Sequence, residues 1–391
     1  MSASWIEAGA AAIAARAERE LEALVAVSSP SGDVRGADEA AAIVAAFVPD
    51  SAAVERPPCS SPGHAPDLVA RLPGERRDGP RILLVGHLDT VVAHGEHRAL
   101  QREDEQLVGS GTIDMKAGDV VAIGVLRALA ARRGDFAETA LLLVNDEEWR
   151  VGEFGHVQRF ARFSACLCFE AGQTTADGAE AVVVRRKAAG TVRIRAAGRS
   201  AHSGTAPDKG VNALLALADA ARAVAACHDP QGPDRLTAVP TVLRSGDAFN
   251  VVPAAGELIC DVRADRLEAF ARVLAAVPAD VGGATLSAEM VRRWPGMDNR
   301  EQTASVLRAA GAVLGAPIVG ADRGGASDAS HFAGAIPVTI DGLGPRGDGA
   351  HAPHEFVLAT SIGPRAEVAL TIVDAMLRPP PSDPLPFAAQ S

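Results

Sequence analysis

The sequence contains no tyrosine, and all its aromatic residues together reach only 4%. Any core must therefore be packed with Ala, Val and Leu, and the 48% hydrophobic share is enough for a sizeable one. The same absence removes the phenol as a donor. A developing oxyanion would have to be met by His, Arg, Asn, Ser, Thr or backbone. Cysteine is sparse, scattered and odd in number (Cys59, Cys166, Cys168, Cys227 and Cys260). That pattern argues against a disulfide framework and for a reducing, cytoplasmic setting. Cys166 and Cys168 alternate within an apolar run and read as small core residues. Clusters of basic residues are also lacking, and the net charge is -11. Nucleic-acid binding is thus disfavoured, since it requires grouped Lys and Arg to neutralise phosphates. No stretch approaches the ~20 apolar residues of a membrane span. The apolar residues 10–15 are bracketed by Glu7 and Arg16-Ala17-Glu18-Arg19-Glu20, which is not a secretory signal. The expectation is a soluble cytoplasmic protein with neither a membrane nor a nucleic-acid partner.

What is present is a series of short continuous apolar runs, each ending in residues able to bind metal. Residues 82–85 read Ile-Leu-Leu-Val and break into Gly86-His87-Leu88-Asp89-Thr90. Residues 140–144 read Ala-Leu-Leu-Leu-Val and end in Asn145-Asp146-Glu147-Glu148. Residues 165–169 read Ala-Cys-Leu-Cys-Phe and end in Glu170. Runs without polar alternation predict strands buried on both faces, as in a parallel sheet. Open α/β sheets place their chemistry just past the carboxyl ends of such strands. Helices are predicted over residues 5–27, 37–47 and 117–131, a loop over 57–66 and an edge strand over 68–72. From about residue 182 the texture changes. Residues 191–195 and 257–263 alternate, as half-exposed antiparallel strands do. With helices near 211–226 and 267–277 and a strand near 285–288, this predicts an α+β unit inserted in the larger α/β domain. The predicted division is 1–181 and 296–378 for the larger domain and 182–295 for the insert, with a proline-rich, disordered tail over 379–391. In the second part of the larger domain, a helix is predicted over 301–314, a strand over 336–340 and a last helix from about 364.

The residue types permit metal-assisted chemistry. In extended backbone His87 and Asp89 share one face, so His87 can ligate while Asp89 orients its ring. Asp114 follows the glycine-spaced turn Gly109-Ser110-Gly111-Thr112-Ile113 and has two oxygens with which to bridge ions. Adjacent Glu147 and Glu148 point in opposite directions, which suggests that one ligates and the other serves as general base. His351 or His354, in a glycine-rich loop, would complete the set. Hard carboxylates with His and without Cys suit zinc, cobalt or manganese. Two such ions about 3.5–4 Å apart suit amide hydrolysis.

At this point the chain resembles the co-catalytic two-zinc peptidases, which include glutamate carboxypeptidase, acetylornithine deacetylase, succinyl-diaminopimelate desuccinylase and aminoacylase. The matching stretches include Gly86-His87-Leu88-Asp89-Thr90-Val91, Gly109 to Lys116, Asp146-Glu147-Glu148, Phe169-Glu170, Gly198-Arg199-Ser200-Ala201-His202-Ser203-Gly204, Asn250-Val251-Val252-Pro253, Asp261-Val262-Arg263 and Gly349 to Glu355. They are in family order and span nearly the whole chain. The resemblance implies a zinc-peptidase-type mixed sheet sandwiched by helices, with the insert as a lid and dimerisation domain. It implies His87, Asp114, Glu148, Glu170 and His351 as ligands of two Zn2+ (or Co2+ or Mn2+), with Asp114 bridging and a cis peptide at Asp114-Met115. It makes Glu147 the general acid/base, Asp89 the orienter of His87, and His202 the oxyanion donor, in some members across a homodimer interface. Asn250 and Arg263 become substrate contacts, and Arg323, in a segment like that of the glutamate carboxypeptidases, a further one. His354 stands at the third position after His351, where the family usually has Asn or Asp.

The function expected is hydrolysis of an amide next to a free carboxylate, in a small peptide or an N-acyl amino acid. The alternative is an N-acyl-amino-acid deacylase of the acetylornithine deacetylase or desuccinylase type. A non-catalytic binding protein on the same fold would be expected to lack ligands that this chain retains.

Overall fold

The computed structural model describes residues 2–150 and 152–378. The tail predicted to be disordered, 379–391, lies outside the described residues. The apolar runs form the middle of a six-stranded mixed sheet, in the order Ala53–Glu55, Leu68–Pro73, Glu138–Val144, Arg81–His87, Ala165–Cys168, Val338–Ile340. Arg81–His87 pairs in parallel with Glu138–Val144 on one side and Ala165–Cys168 on the other. His87 is in register with Val144, and Val85 with Cys168. The three strand ends thus come out side by side, although 57 residues of sequence separate His87 from Val144 (144 − 87).

Continuous apolarity follows from burial on both faces. Ile82, Leu84, Leu141 and Leu143 join one core, while Leu83, Val85, Leu142 and Val144 join another. On the first face lie the helices Ser2–Val25, Ala117–Ala130 and Ala359–Leu377. The second face carries Phe160, Phe163 and Phe332, together with Cys166 and Cys168 as buried free thiols. No helix among the described residues is long and apolar enough to cross a membrane.

A separate five-stranded antiparallel sheet has the order Thr237–Ser245, Ala255–Ala264, Ala188–Ala197, Ala284–Trp294, Asp280–Val281. Its alternating residues Val192, Ile194, Leu258, Cys260 and Val262 face the helices Ala213–Ala225 and Phe270–Ala276 in a core of their own. Asn212 caps the first of these helices by accepting from Leu214 N (3.0 Å) and Leu215 N (3.2 Å). A third sheet joins Glu180–Arg186 in parallel to Ile318–Arg323. A fourth pairs Gln106–Val108 with Phe356–Leu358, which carries the loop containing His351 over to the turn before Asp114.

Four local expectations differ from the structure. Leu68–Pro73 is interior to the sheet, because Ala53–Glu55 covers its outer side. Thr237–Ser245 was not predicted, since Pro240 breaks the strand pattern. It is tolerated because this strand is an edge and its register shifts between Pro240 and Val242. The predicted strand at 285–288 extends over Ala284–Trp294. The last helix begins at Ala359 and runs through Pro364. Pro364 is the sixth residue of that helix, so the helix forgoes the N–H bond to the Thr360 carbonyl there.

Candidate metal centre

The Asp114 carboxylate sits between two histidine–carboxylate pairs. Its Oδ1 is 3.1 Å from His87 Nε2, which is itself 3.8 Å from Glu170 Oε1. Its Oδ2 is 3.1 Å from His351 Nε2, which is 3.2 Å from Glu148 Oε2. Ligand atoms of His87, Asp114 and Glu148 all lie within 4.8 Å of one another. All five residues expected to bind metal are therefore brought together. His354 is exposed and forms no ion pair with these carboxylates among the described residues.

Each member is held by an identifiable partner. His87 Nδ1 lies 3.0 Å from Asp89 O and 3.4 Å from Asp89 Oδ1. The Asp89 carboxylate also accepts the backbone N–H groups of Glu147 and Glu148, each at 3.2 Å. Asp89 thus fixes the end of the neighbouring strand as well as the His87 ring. The turn before Asp114 needs Gly111, whose φ is 72°. It is fastened by Glu355, whose carboxylate accepts from Gly111 N (2.8 Å), Ile113 N (2.9 Å) and Asp114 N (3.0 Å). The Asp114-Met115 peptide is cis, as the resemblance implied. Lys116 Nζ is buried and donates to Leu24 O (3.1 Å) and Val27 O (2.8 Å), tying the turn to the end of the first helix.

The electrostatics favour a cation. Burial, with help from Asp328, Glu170 and Glu148, pushes the Glu147 carboxyl well above its ordinary range. Burial raises Glu148, and burial with the Asp114 charge raises Glu170 to about 8. Burial also acts to raise Asp114, but hydrogen bonds with His351 and His87 outweigh it and hold it well below the carboxylate range. Burial acts to lower His87, yet Asp114 and Asp89 carry it well above the usual imidazole value. Glu148 Oε1 is buried and has no hydrogen-bond partner. An accumulation of carboxylates with an unpaired inward oxygen suits divalent ions with hard oxygen and nitrogen ligands. His87, Glu170 and Asp114 Oδ1 could hold one ion, and His351, Glu148 and Asp114 Oδ2 the other.

The carboxylates open into a cleft of about 380 Å³, whose lining includes Glu147, Arg186, Arg263, Arg292, Arg323 and His351. Arg323 is aimed by Gln173 Oε1 (3.0 Å) and Ala171 O (2.9 Å). Arg263 is paired with Asp261 at 3.1 Å. Arg292 stacks over Trp294, and its Nε is buried without a partner. His202 and Asn250 lie outside this lining, in exposed loops of the five-stranded sheet. His202 Nδ1 accepts from Gly204 N (3.1 Å) and Thr205 N (3.2 Å), and Asn250 O accepts from Ser203 N (3.0 Å).

A family model described as peptidase family M20/M25/M40 matches residues 83–375. The chain belongs to this family. It is 26% identical to carboxypeptidase G2 of Pseudomonas sp. (strain RS-16), over 91% of this chain and 88% of that protein. It is 30% identical to a succinyl-diaminopimelate desuccinylase of Rhizorhabdus wittichii, over 72% of this chain and 78% of that protein. Among solved structures, aminopeptidase PepT from Bacillus cereus ATCC 10987 matches with a TM-score of 0.74 at 21% identity, covering 93% of this chain and 99% of that one. This M20/M25/M40 member is thus a hydrolase of the metallopeptidase and amidohydrolase class.

Sequence reasoning missed three residues. Glu355 was quoted within a motif but given no task, and its three backbone bonds appear only when the loop pairs with the turn. Arg150 is wholly buried and pairs with both Asp146 and Asp328, which ties the loop after Glu148 to the segment 324–328. Arg292 lies on a strand whose alternation gives no hint of a cleft.

Proposed function

We propose that this family member is a two-zinc hydrolase that cleaves an amide adjacent to a free carboxylate, releasing an amino acid. The observation that carries the reading is Asp114, with each oxygen facing a separate imidazole–carboxylate pair. When bound, the two ions supply Lewis acidity to the scissile carbonyl and make water acidic enough to react near neutral pH. Glu147 takes the proton from the attacking water and gives it to the amide nitrogen as the C–N bond breaks. Asp89 holds the backbone of Glu147 and the ring of His87, so base and ligand keep one geometry. Arg263 and Arg323 grip the free carboxylate through charge-assisted hydrogen bonds. The free cysteines suit the cytoplasm.

A substrate panel tests the reading. Dipeptides and N-acyl amino acids with a free α-carboxylate are expected to be hydrolysed. The same compounds as carboxamides are expected to lose most kcat/KM. Equal turnover of acid and amide would overturn it. The several arginines of the cleft favour a second reading, a deacylase whose acyl group itself carries a carboxylate, as in the desuccinylase relatives. N-succinyl over N-acetyl preference in the same panel would select it.

His202 and Asn250 fit the reading through a homodimer formed on the lid, residues 182–295. The exposed edge strand there carries Val239, Val242 and Leu243, and nearby Phe249 is 100% exposed. A second copy on this face would bring its His202 to the carbonyl oxygen. Phe249→Glu is expected to yield a monomer in sedimentation analysis. Its kcat should fall as far as in His202→Ala, by about 10²–10³. A monomeric variant with full activity would refute the arrangement.

A further inference from the structure

Behind the strand end that carries Glu147 and Glu148, a second group of metal-binding side chains converges. Asp146 is fully buried. Its Oδ1 accepts from Arg150 Nε (2.9 Å) and Nη2 (2.5 Å), and the Cys59 thiol and Ser61 hydroxyl stand close enough to donate to the same carboxylate. Opposite lies the loop 57–66, with Cys59 and His64 half-buried. The Nδ1 atom of His64 is buried and unpaired. One potential ligand atom from each of Cys59, His64 and Asp146 lies within 4.8 Å of the other two. The His64 ring rests against Gly32, whose φ is 88°. A Cβ at position 32 would stand 3.1 Å from His64 Nε2. Neighbouring Asp67 is already engaged, by Asn145 N (2.8 Å) and by His156 Nε2 (2.7 Å).

We propose that Cys59, His64 and Asp146 form a separate single-ion site for a thiophilic divalent cation of the zinc type. The ion ties the loop 57–66 to the strand end from which Glu147 and Glu148 project. His64 keeps an unpaired buried nitrogen where the Cys59 sulfur and the Asp146 carboxylate already converge, a set that a metal satisfies and that an ordinary polar cluster leaves at a cost. A sulfur, an imidazole nitrogen and a carboxylate oxygen, with a fourth position for water, suit tetrahedral zinc and not magnesium or calcium. Burial and the carboxylates of Asp67 and Asp146 push the Cys59 thiol up. A bound cation acts in the opposite sense, and the thiol gives up its proton as the metal–sulfur bond forms.

Cobalt substitution tests this in the full chain, because the carboxylate–histidine centre has no sulfur ligand. Saturation with Co2+ is expected to give a thiolate-to-cobalt charge-transfer band in the near ultraviolet. Cys59→Ser should lose that band and one equivalent of bound cobalt relative to the parent. The visible bands of the oxygen- and nitrogen-ligated ions should remain, so failure of the two-metal reading is seen separately. In His64→Gln the band should require more cobalt to appear. Should Cys59→Ser fold poorly, alkylation of Cys59 in the parent chain serves instead, with saturating Zn2+ expected to slow it. Absence of the band at saturating cobalt, its persistence in Cys59→Ser, an unchanged cobalt titration in His64→Gln, or alkylation indifferent to zinc would each overturn the site.

Discussion

Glu147→Gln is expected to lower kcat by about 10²–10⁴-fold while leaving the content of bound metal unchanged. The amide matches the carboxylate in shape but cannot take a proton from water. Metal retention follows because the facing pairs involve Asp114, His87, Glu170, His351 and Glu148, and not Glu147. The backbone should also stay in place, since its link to Asp89 runs through Glu147 N. Steady-state kinetics with metal analysis of the same preparation makes the check. A variant with more than half of the parent turnover would remove Glu147 from the reaction. A variant that loses metal would show that Glu147 ligates.

Asp114→Ala is expected to abolish binding of both ions at stoichiometric concentration and to reduce turnover by about 10³-fold or more. Several kcal/mol of transition-state stabilisation depend on the metals. Among the described residues, Asp114 is the one carboxylate within 4 Å of both histidine rings. The same carboxylate governs the pH dependence of metal uptake. In the metal-free protein, hydrogen bonds to Asp114 and Glu148 raise His351 to about 10, so it carries a proton at neutral pH. Ligation requires the neutral ring. Metal affinity should therefore rise with pH through the neutral range and level off above about 10. Each metal bound at His351 should release a proton. Calorimetry in two buffers of different ionisation enthalpy measures that release. A pH-independent affinity would contradict it.

Much of this centre was legible in the sequence, for a definite reason. Strands buried on both faces must be apolar throughout, so 82–85, 140–144 and 165–169 stand out, and each abrupt return to polarity marks a strand end. His87, Glu147, Glu148 and Glu170 could be picked out from that alone. Asp114 and either His351 or His354 could be named only as candidates by residue type, and the family resemblance was needed to choose His351, because a turn and a glycine-rich loop have no periodicity to read. Contacts made across the chain were illegible. Glu355 acts through backbone N–H groups more than 240 residues away, and backbone donors leave no mark in a sequence. Arg150 resembles a surface arginine until Asp146 and Asp328 close around it. Thr237–Ser245 hid behind Pro240, since whether a strand is an edge depends on neighbours that the strand does not encode.

The sequence by itself determined the buried strands, the chemical character of the residues at their ends and the change of texture that begins the second sheet. These are local matters, set by which side chains tolerate burial and which backbone turns require glycine. Tertiary structure decided the rest. It placed Arg81–His87 between Glu138–Val144 and Ala165–Cys168, laid Phe356–Leu358 beside Gln106–Val108, and so set Asp114 between His87 and His351 rather than beside either alone. It also left His202 outside the cleft of its own chain. The physical reason is register. A sequence specifies which residues have the chemistry, but distances of about 3 Å between them arise only when strand pairing and loop closure fix several backbones against one another.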